Sequence, residues 1–242
     1  MRFLLLGLLS LVWTSLAIAD TNKLTSLESL DDGRAWMAVG RLSFQNGKQL
    51  CTATLVAPDL ILTASHCLYD ADTGQKLDLI DFEFQAGWRN GRAEAYSAIS
   101  AAMNFKNNYA SHKSKLKAVP TDIALLKLSH PIRKKSIQPF PIAVFSKTQK
   151  SVSVVSYALG RIDAPSIQNT CDIVEMMDDM FGFDCEADLG ASGAPVFYLS
   201  SQGPVIISVF SAVADVGQKR LVFGPIAEKS LKYLKRVLEQ QE

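Results

Sequence analysis

Three residue types that together can activate a hydroxyl are spread along the chain as His66, Asp122 and Ser192. A serine oxygen becomes a nucleophile only if a base takes its proton during attack, and the oxyanion that forms needs preorganised N–H donors. The general base is a short search, because the chain has 3 histidines. His112 lies in a lysine-rich loop and His130 precedes Pro131, so both read as solvent-facing or turn residues. His66 ends the apolar run LILTASHC beside Cys67. Asp122 opens TDIALLKL, where it can supply the buried carboxylate that orients an imidazole or can simply end a strand. Ser192 sits in ADLGASGAPVF, where Gly190, Ala191, Gly193 and Ala194 let backbone and substrate approach closely.

Chain order removes one hydrolase class. GASGA nearly fits the G-x-S-x-G elbow of α/β-hydrolases, but that fold needs a histidine after the serine. None follows Ser192. The order histidine, aspartate, serine is the arrangement that remains.

The elements that must position these residues read as β-structure. Short runs rich in β-branched and aromatic residues (WMAVGRLSF, LCTATLVA, LILTA, DFEFQAGW, AYSAIS, IALLKL, VSVVSYAL, CDIVEMM, APVFYL, PVIISVFSAVA) are punctuated by turn residues, the pattern of an all-β barrel or sandwich. After Gly224-Pro225, Ala227, Leu231, Leu234 and Leu238 fall on one helical face, with Lys229, Lys232, Lys235 and Arg236 mostly on others. A C-terminal helix docked on the β body is predicted. Asn104–Pro120 reads as the most polar internal loop, Ile132–Pro141 as a linker between halves, and Asp20–Asp32 as a loose polar leader.

The chain has 242 residues, 48% of them apolar, with a formal net charge of +1. It can bury a substantial core, and no polybasic stripe points to nucleic acid. Residues 1–19 combine a basic start, an apolar run and the small-x-small Ala17-Ile18-Ala19, which predicts a cleaved secretory signal and a secreted or periplasmic protein. The run is short for a membrane span and no positive stop-transfer segment follows, so no stable membrane insertion is expected after signal removal. Cys51, Cys67, Cys171 and Cys185 lie in the exported part. Four cysteines allow three pairings, and local closure favours Cys51 with Cys67 and Cys171 with Cys185. Zinc at His66 and Cys67 is the competing reading, but the spacing matches no C-x2-C or H-x3-H pattern, and no metal is expected.

CTATLVAPDLILTASHC, TDIALLKL and LGASGAPVF, in that order, resemble the histidine, aspartate and serine segments of the trypsin-like serine endopeptidases of chymotrypsin fold, closest to secreted bacterial members. The resemblance implies two antiparallel six-stranded β-barrels with a C-terminal helix, the first at about 34–135 and the second at about 136–242, with 20–33 as a leader. It implies a catalytic triad of His66, Asp122 and Ser192, an oxyanion hole from the N–H groups of Gly190 and Ser192, protein or peptide substrates, and no cofactor. Counting back from the nucleophile carries the base of the primary pocket to Glu186, with Asp188 nearby. A carboxylate there would favour Arg or Lys at the cleaved bond, and a solvated acidic turn is the other reading. Ser211 resembles a residue of the strand lining that pocket.

The departures are informative. Ala191 stands where many relatives carry an aspartate that pairs with a freshly cut N-terminus, and Arg34-Ala35-Trp36 lacks the Ile-Val-Gly-Gly start. Activity without an activating cut is therefore expected. Ala194 and Ser65 replace a usual glycine and alanine with small residues. A catalytically weak peptide-binding protein on the same scaffold is the alternative reading.

Overall fold

The computed structural model describes residues 23–45, 47, 49–105, 115–144, 149–177 and 179–239. The predicted signal segment, His112 and the Leu238 side chain lie outside the described part.

The first half is a closed barrel. Strands β2 (Val39–Phe44), β3 (Gln49–Ala57), β4 (Leu60–Thr63), β5 (Glu83–Ala86), β6 (Ala95–Asn104) and β7 (Ala124–Leu128) run in the order β2-β3-β4-β7-β6-β5, and β5 pairs back to β2 through Leu42 opposite Phe84. Every neighbouring pair is antiparallel. Closure leaves no free edge and encloses Leu42, Leu55, Ile61, Phe84 and Leu126, all with no exposed surface.

The second half contains β8 (Ser151–Ala158), β9 (Arg161–Met177), β10 (Met180–Phe183), β11 (Pro195–Ser200), β12 (Gly203–Val209), β13 (Ala212–Val216) and β14 (Lys219–Pro225). Its hydrogen-bonded path is β12-β11-β8-β9-β10-β14-β13, with the ends β12 and β13 joined in sequence at Phe210-Ser211. The 17-residue β9 serves twice, pairing β8 through its first part and β10 through its last. Register shifts at Val152/Val154 and Ser156/Ala158 bend the ladder with β8. The run CDIVEMM is thus the end of β9, not a strand of its own.

The N-terminal segment is not loose. Strand β1 (Leu24–Ser26) pairs with β9, and helix α1 (Leu30–Gly33) starts at Ser29, whose hydroxyl accepts the Asp32 N–H at 3.1 Å. The Arg89 side chain, from the first half, donates to the Leu27 carbonyl at 2.7 Å. A polar composition hid this because the segment's stability comes from ladder hydrogen bonds, with Leu27 buried.

A short helix, α2 (Lys115–Ala118), precedes Asp122, and the predicted C-terminal helix is α3 (Ala227–Glu239). Ala227, Leu231 and Leu234 are buried in the large core, while Lys229 reaches Asp179 at 2.7 Å and Lys232 reaches Glu228 at 3.0 Å. Trp36, Phe140 and Phe197 pack with ring centroids 4.7–5.8 Å apart. These rings fasten the connecting segment to β11 and so tie the halves together.

Candidate active site

His66 lies on the single 3-10 turn Ser65–Leu68 that follows β4. The turn is pinned by the Cys51–Cys67 disulfide to β3 and by Asn104, whose amide donates to Ser65 Oγ and the Tyr69 hydroxyl oxygen, both at 3.0 Å. Cys171 is bonded to Cys185, completing the predicted pairing. The sulfurs of Cys51 and Cys67 lie within 4.8 Å of a His66 ring nitrogen, but both are spent in the disulfide and offer no thiolate to a metal.

Asp122 follows the turn Val119–Thr121 and precedes β7, with 1% of its surface exposed. Its Oδ1 accepts the His66 backbone N–H at 2.8 Å, and its Oδ2 lies 2.7 Å from His66 Nδ1. Oδ2 also accepts the Ser211 hydroxyl at 2.5 Å. A carboxylate that only accepts hydrogen bonds makes Nδ1 the protonated nitrogen, leaving Nε2 as the base. The backbone bond and the ring bond fix both the place and the orientation of the imidazole, whose residue remains 22% exposed in its side chain.

The Ser192 loop connects β10 to β11 and is held by backbone bonds on every side. The Ser192 carbonyl accepts the Thr52 N–H at 2.8 Å, Gly193 N–H donates to Phe210 O at 2.8 Å, and Ala194 N–H donates to Ala191 O at 2.9 Å. Gly193 has φ +77°, and a Cβ there would fall 2.4 Å from the Thr52 carbonyl oxygen. Glycine is required because the loop presses directly on β3 and β4.

One peptide orientation decides which groups face the cleft. The Leu189 carbonyl accepts the Leu159 N–H at 2.7 Å. In a trans planar peptide the N–H points opposite to the C=O, so Gly190 N–H faces away from Leu159. Thr52 Oγ1 holds the next carbonyl, donating to Gly190 O at 3.1 Å. Gly190 N–H and Ser192 N–H donate to no acceptor among the described residues.

Ala191 is 1% exposed and packs in an apolar cluster with Phe181, Phe183, Phe210 and Val196. The loop conformation is secured by this apolar packing and by the Thr52 and Leu159 bonds.

His66, Gly190, Ser192 and Ser211 line one cleft of about 1120 Å³ between the halves. Residues 29–200 match the family model Trypsin. This chain belongs to the trypsin family. Serine protease 23 of Bos taurus is 30% identical over 172 residues, and that of Homo sapiens 31% over 172 residues. These matches cover 61% of this chain but 43% and 42% of the relatives, so it spans less than half the length of the curated proteins it resembles. A solved structure of Glu endopeptidase in complex with MPD superposes with a TM-score of 0.72 at 17% identity, covering 92% of this chain and 99% of that one, which establishes the chymotrypsin fold.

Of the two carboxylates that the sequence offered for a pocket, Glu186 and the nearby Asp188, the second lines the cavity beside Ser192 in this trypsin-family chain. Glu186 is exposed and does not line the cavity beside Ser192, which takes Asp188 instead. The Glu186 N–H is held by Gln168 Oε1 at 2.8 Å, and the adjacent Cys185 is tied to Cys171. Asp188 lies 3.7 Å from the Arg161 guanidinium. Burial lowers the Arg161 pKa from its ordinary value, and Asp188 opposes that shift. Arg161 and Thr52 were not singled out from the sequence. Their signal was weak: an arginine at a strand start and a threonine after a cysteine are ordinary surface or ladder residues until burial is known.

Proposed function

We propose that the chain is a serine endopeptidase acting through His66, Asp122 and Ser192, exported and matured by signal removal after Ala19. Substrate lies in the cleft with its scissile carbonyl carbon against Ser192 Oγ. His66 Nε2 takes the hydroxyl proton as the bond forms, while Asp122 holds Nδ1–H and stabilises the imidazolium. The carbonyl oxygen, now negative, is received by the open N–H groups of Gly190 and Ser192. His66 then passes the proton to the departing amine, leaving an acyl-enzyme that water clears by the same steps reversed.

The observation that carries this reading is the pair of hydrogen bonds from His66 to Asp122, 2.8 Å from the backbone and 2.7 Å from the ring, at the edge of the cleft that also exposes Ser192. A strand-end aspartate needs neither bond. The two disulfides fit an oxidising compartment, secreted or periplasmic, and among the described residues no helix is long and apolar enough to cross a membrane. Hydrolysis of a denatured protein substrate tests the proposal. Wild type is expected to turn it over, and Ser192→Ala and His66→Ala each to lose at least about 10³-fold in kcat. Equal rates in wild type and Ser192→Ala would contradict it.

A further inference from the structure

We propose that the primary pocket accepts a small uncharged side chain, such as Ala, Ser or Val, at the residue whose carbonyl is attacked; this rests on the hydrolase reading above. The cavity beside Ser192 measures about 40 Å³. At about 10–15 Å³ for each water-sized group, that is room for roughly three heavy atoms. An alanine, serine or valine side chain fits within it, whereas phenylalanine, glutamate and arginine do not.

The lining explains the size. Phe210 and Val222, each 2% exposed, close the cavity from the core side, and neither can withdraw without opening a void in the apolar cluster behind it. Ala187 and Ala191 supply walls with nothing beyond Cβ. Ala187, Asp188, Ser192, Ser211, Ala212 and Val213 line both the cavity and the cleft, so the cavity is a recess in the cleft floor, with Val213, 37% exposed, at its rim.

Charge does not rescue a basic preference. Asp188, the carboxylate on the lining, has a side chain 62% exposed and lies 3.7 Å from Arg161. An incoming Arg or Lys would meet a rim carboxylate already facing a cation, with no depth to hold its aliphatic stem. An incoming glutamate would meet the same want of depth.

Product-like peptides differing only in their last residue (Ala, Val, Phe, Glu, Arg), titrated into the Ser192→Ala protein, test the size rule without requiring turnover. The Ala- and Val-ended peptides should bind at least about tenfold more tightly than the other three. Val213→Ala in that background should narrow the gap for the Phe-ended peptide. Wild-type cleavage of a peptide library should follow the same order. Equal affinities, no measurable binding of any peptide, or a lead for the Phe- or Arg-ended peptide overturns the pocket assignment. Covalent labelling of wild-type Ser192 by a fluorophosphonate separates the two claims. Labelling with the wrong peptide order refutes the pocket alone, and the predicted order without labelling refutes the hydrolase reading alone.

Discussion

At the scale of single residues, Asp122 is a buried carboxylate, 1% exposed. Both of its oxygens are engaged, by His66 twice and by Ser211 once. Replacing it with asparagine keeps the shape but offers an N–H toward Nδ1, favouring the wrong tautomer. Asp122→Asn should lower kcat by about 10⁴-fold with little change in melting temperature. Kinetics with thermal unfolding on the same preparation checks this, and full activity would contradict it. Ala191 gives a second expectation. An aspartate there would sit among Phe181, Phe183 and Phe210 with no cation beside it among the cluster residues. Ala191→Asp should therefore cost about 2–5 kcal/mol in denaturant unfolding, whereas a neutral effect would reveal a hidden cationic partner. His66, Asp122 and Ser192 could be picked from the sequence because each needs a chemical type in a fixed order. Counting along the chain reaches Glu186 because it assumes a loop of constant length, whereas the carboxylate lining the cavity is Asp188, two residues further on.

Among elements, β3 organises the site although it carries none of His66, Asp122 and Ser192. Thr52, fully buried, gives its N–H to Ser192 O and its hydroxyl to Gly190 O, accepts the Tyr157 N–H at 3.0 Å, and its carbonyl accepts Thr63 Oγ1 at 2.9 Å. Thr52→Val keeps the shape and removes the hydroxyl bonds, leaving the Tyr157 N–H unsatisfied. It should lose about 1–3 kcal/mol of stability and lower kcat more than it raises KM, with Thr52→Ser restoring both. Undiminished kcat in the folded variant would show that Gly190 needs no such support. A turn at the far side of the cleft supplies the pH expectation. The Asp70 carboxylate is held below its ordinary range by the Thr73 N–H and hydroxyl, with Gln45 and the Asp72 N–H adding to it. A depressed folded pKa stabilises above the unfolded value, near pH 4, and that contribution disappears as pH falls through the folded value. The stability gap between wild type and Asp70→Asn should thus be present at pH 7 and close below about pH 4, and a gap constant across that range would contradict the assignment. Strand positions were legible because alternation and turn residues mark them. The double use of β9 and the ordering of β1 and α1 were not, since both depend on partners far along the chain.

Taken whole, the molecule sets His66 and Ser192 on opposite halves and locks the halves together. The locks are specific: the Trp36, Phe140 and Phe197 rings, the Arg89 bond to Leu27, and Gly193 pressed on Thr52 and Thr63. None of them depends on a charged N-terminus, and the place where such a charge would act is filled by Ala191 and its apolar neighbours. The central claim is accordingly that the site is competent in the uncut chain beginning at Asp20. It is tested most directly by treating that chain with a fluorophosphonate and measuring its intact mass and the modified peptide. The account predicts one adduct, on Ser192, in protein that has suffered no internal cleavage. An adduct that forms only after a further cut, or on another residue, would contradict it.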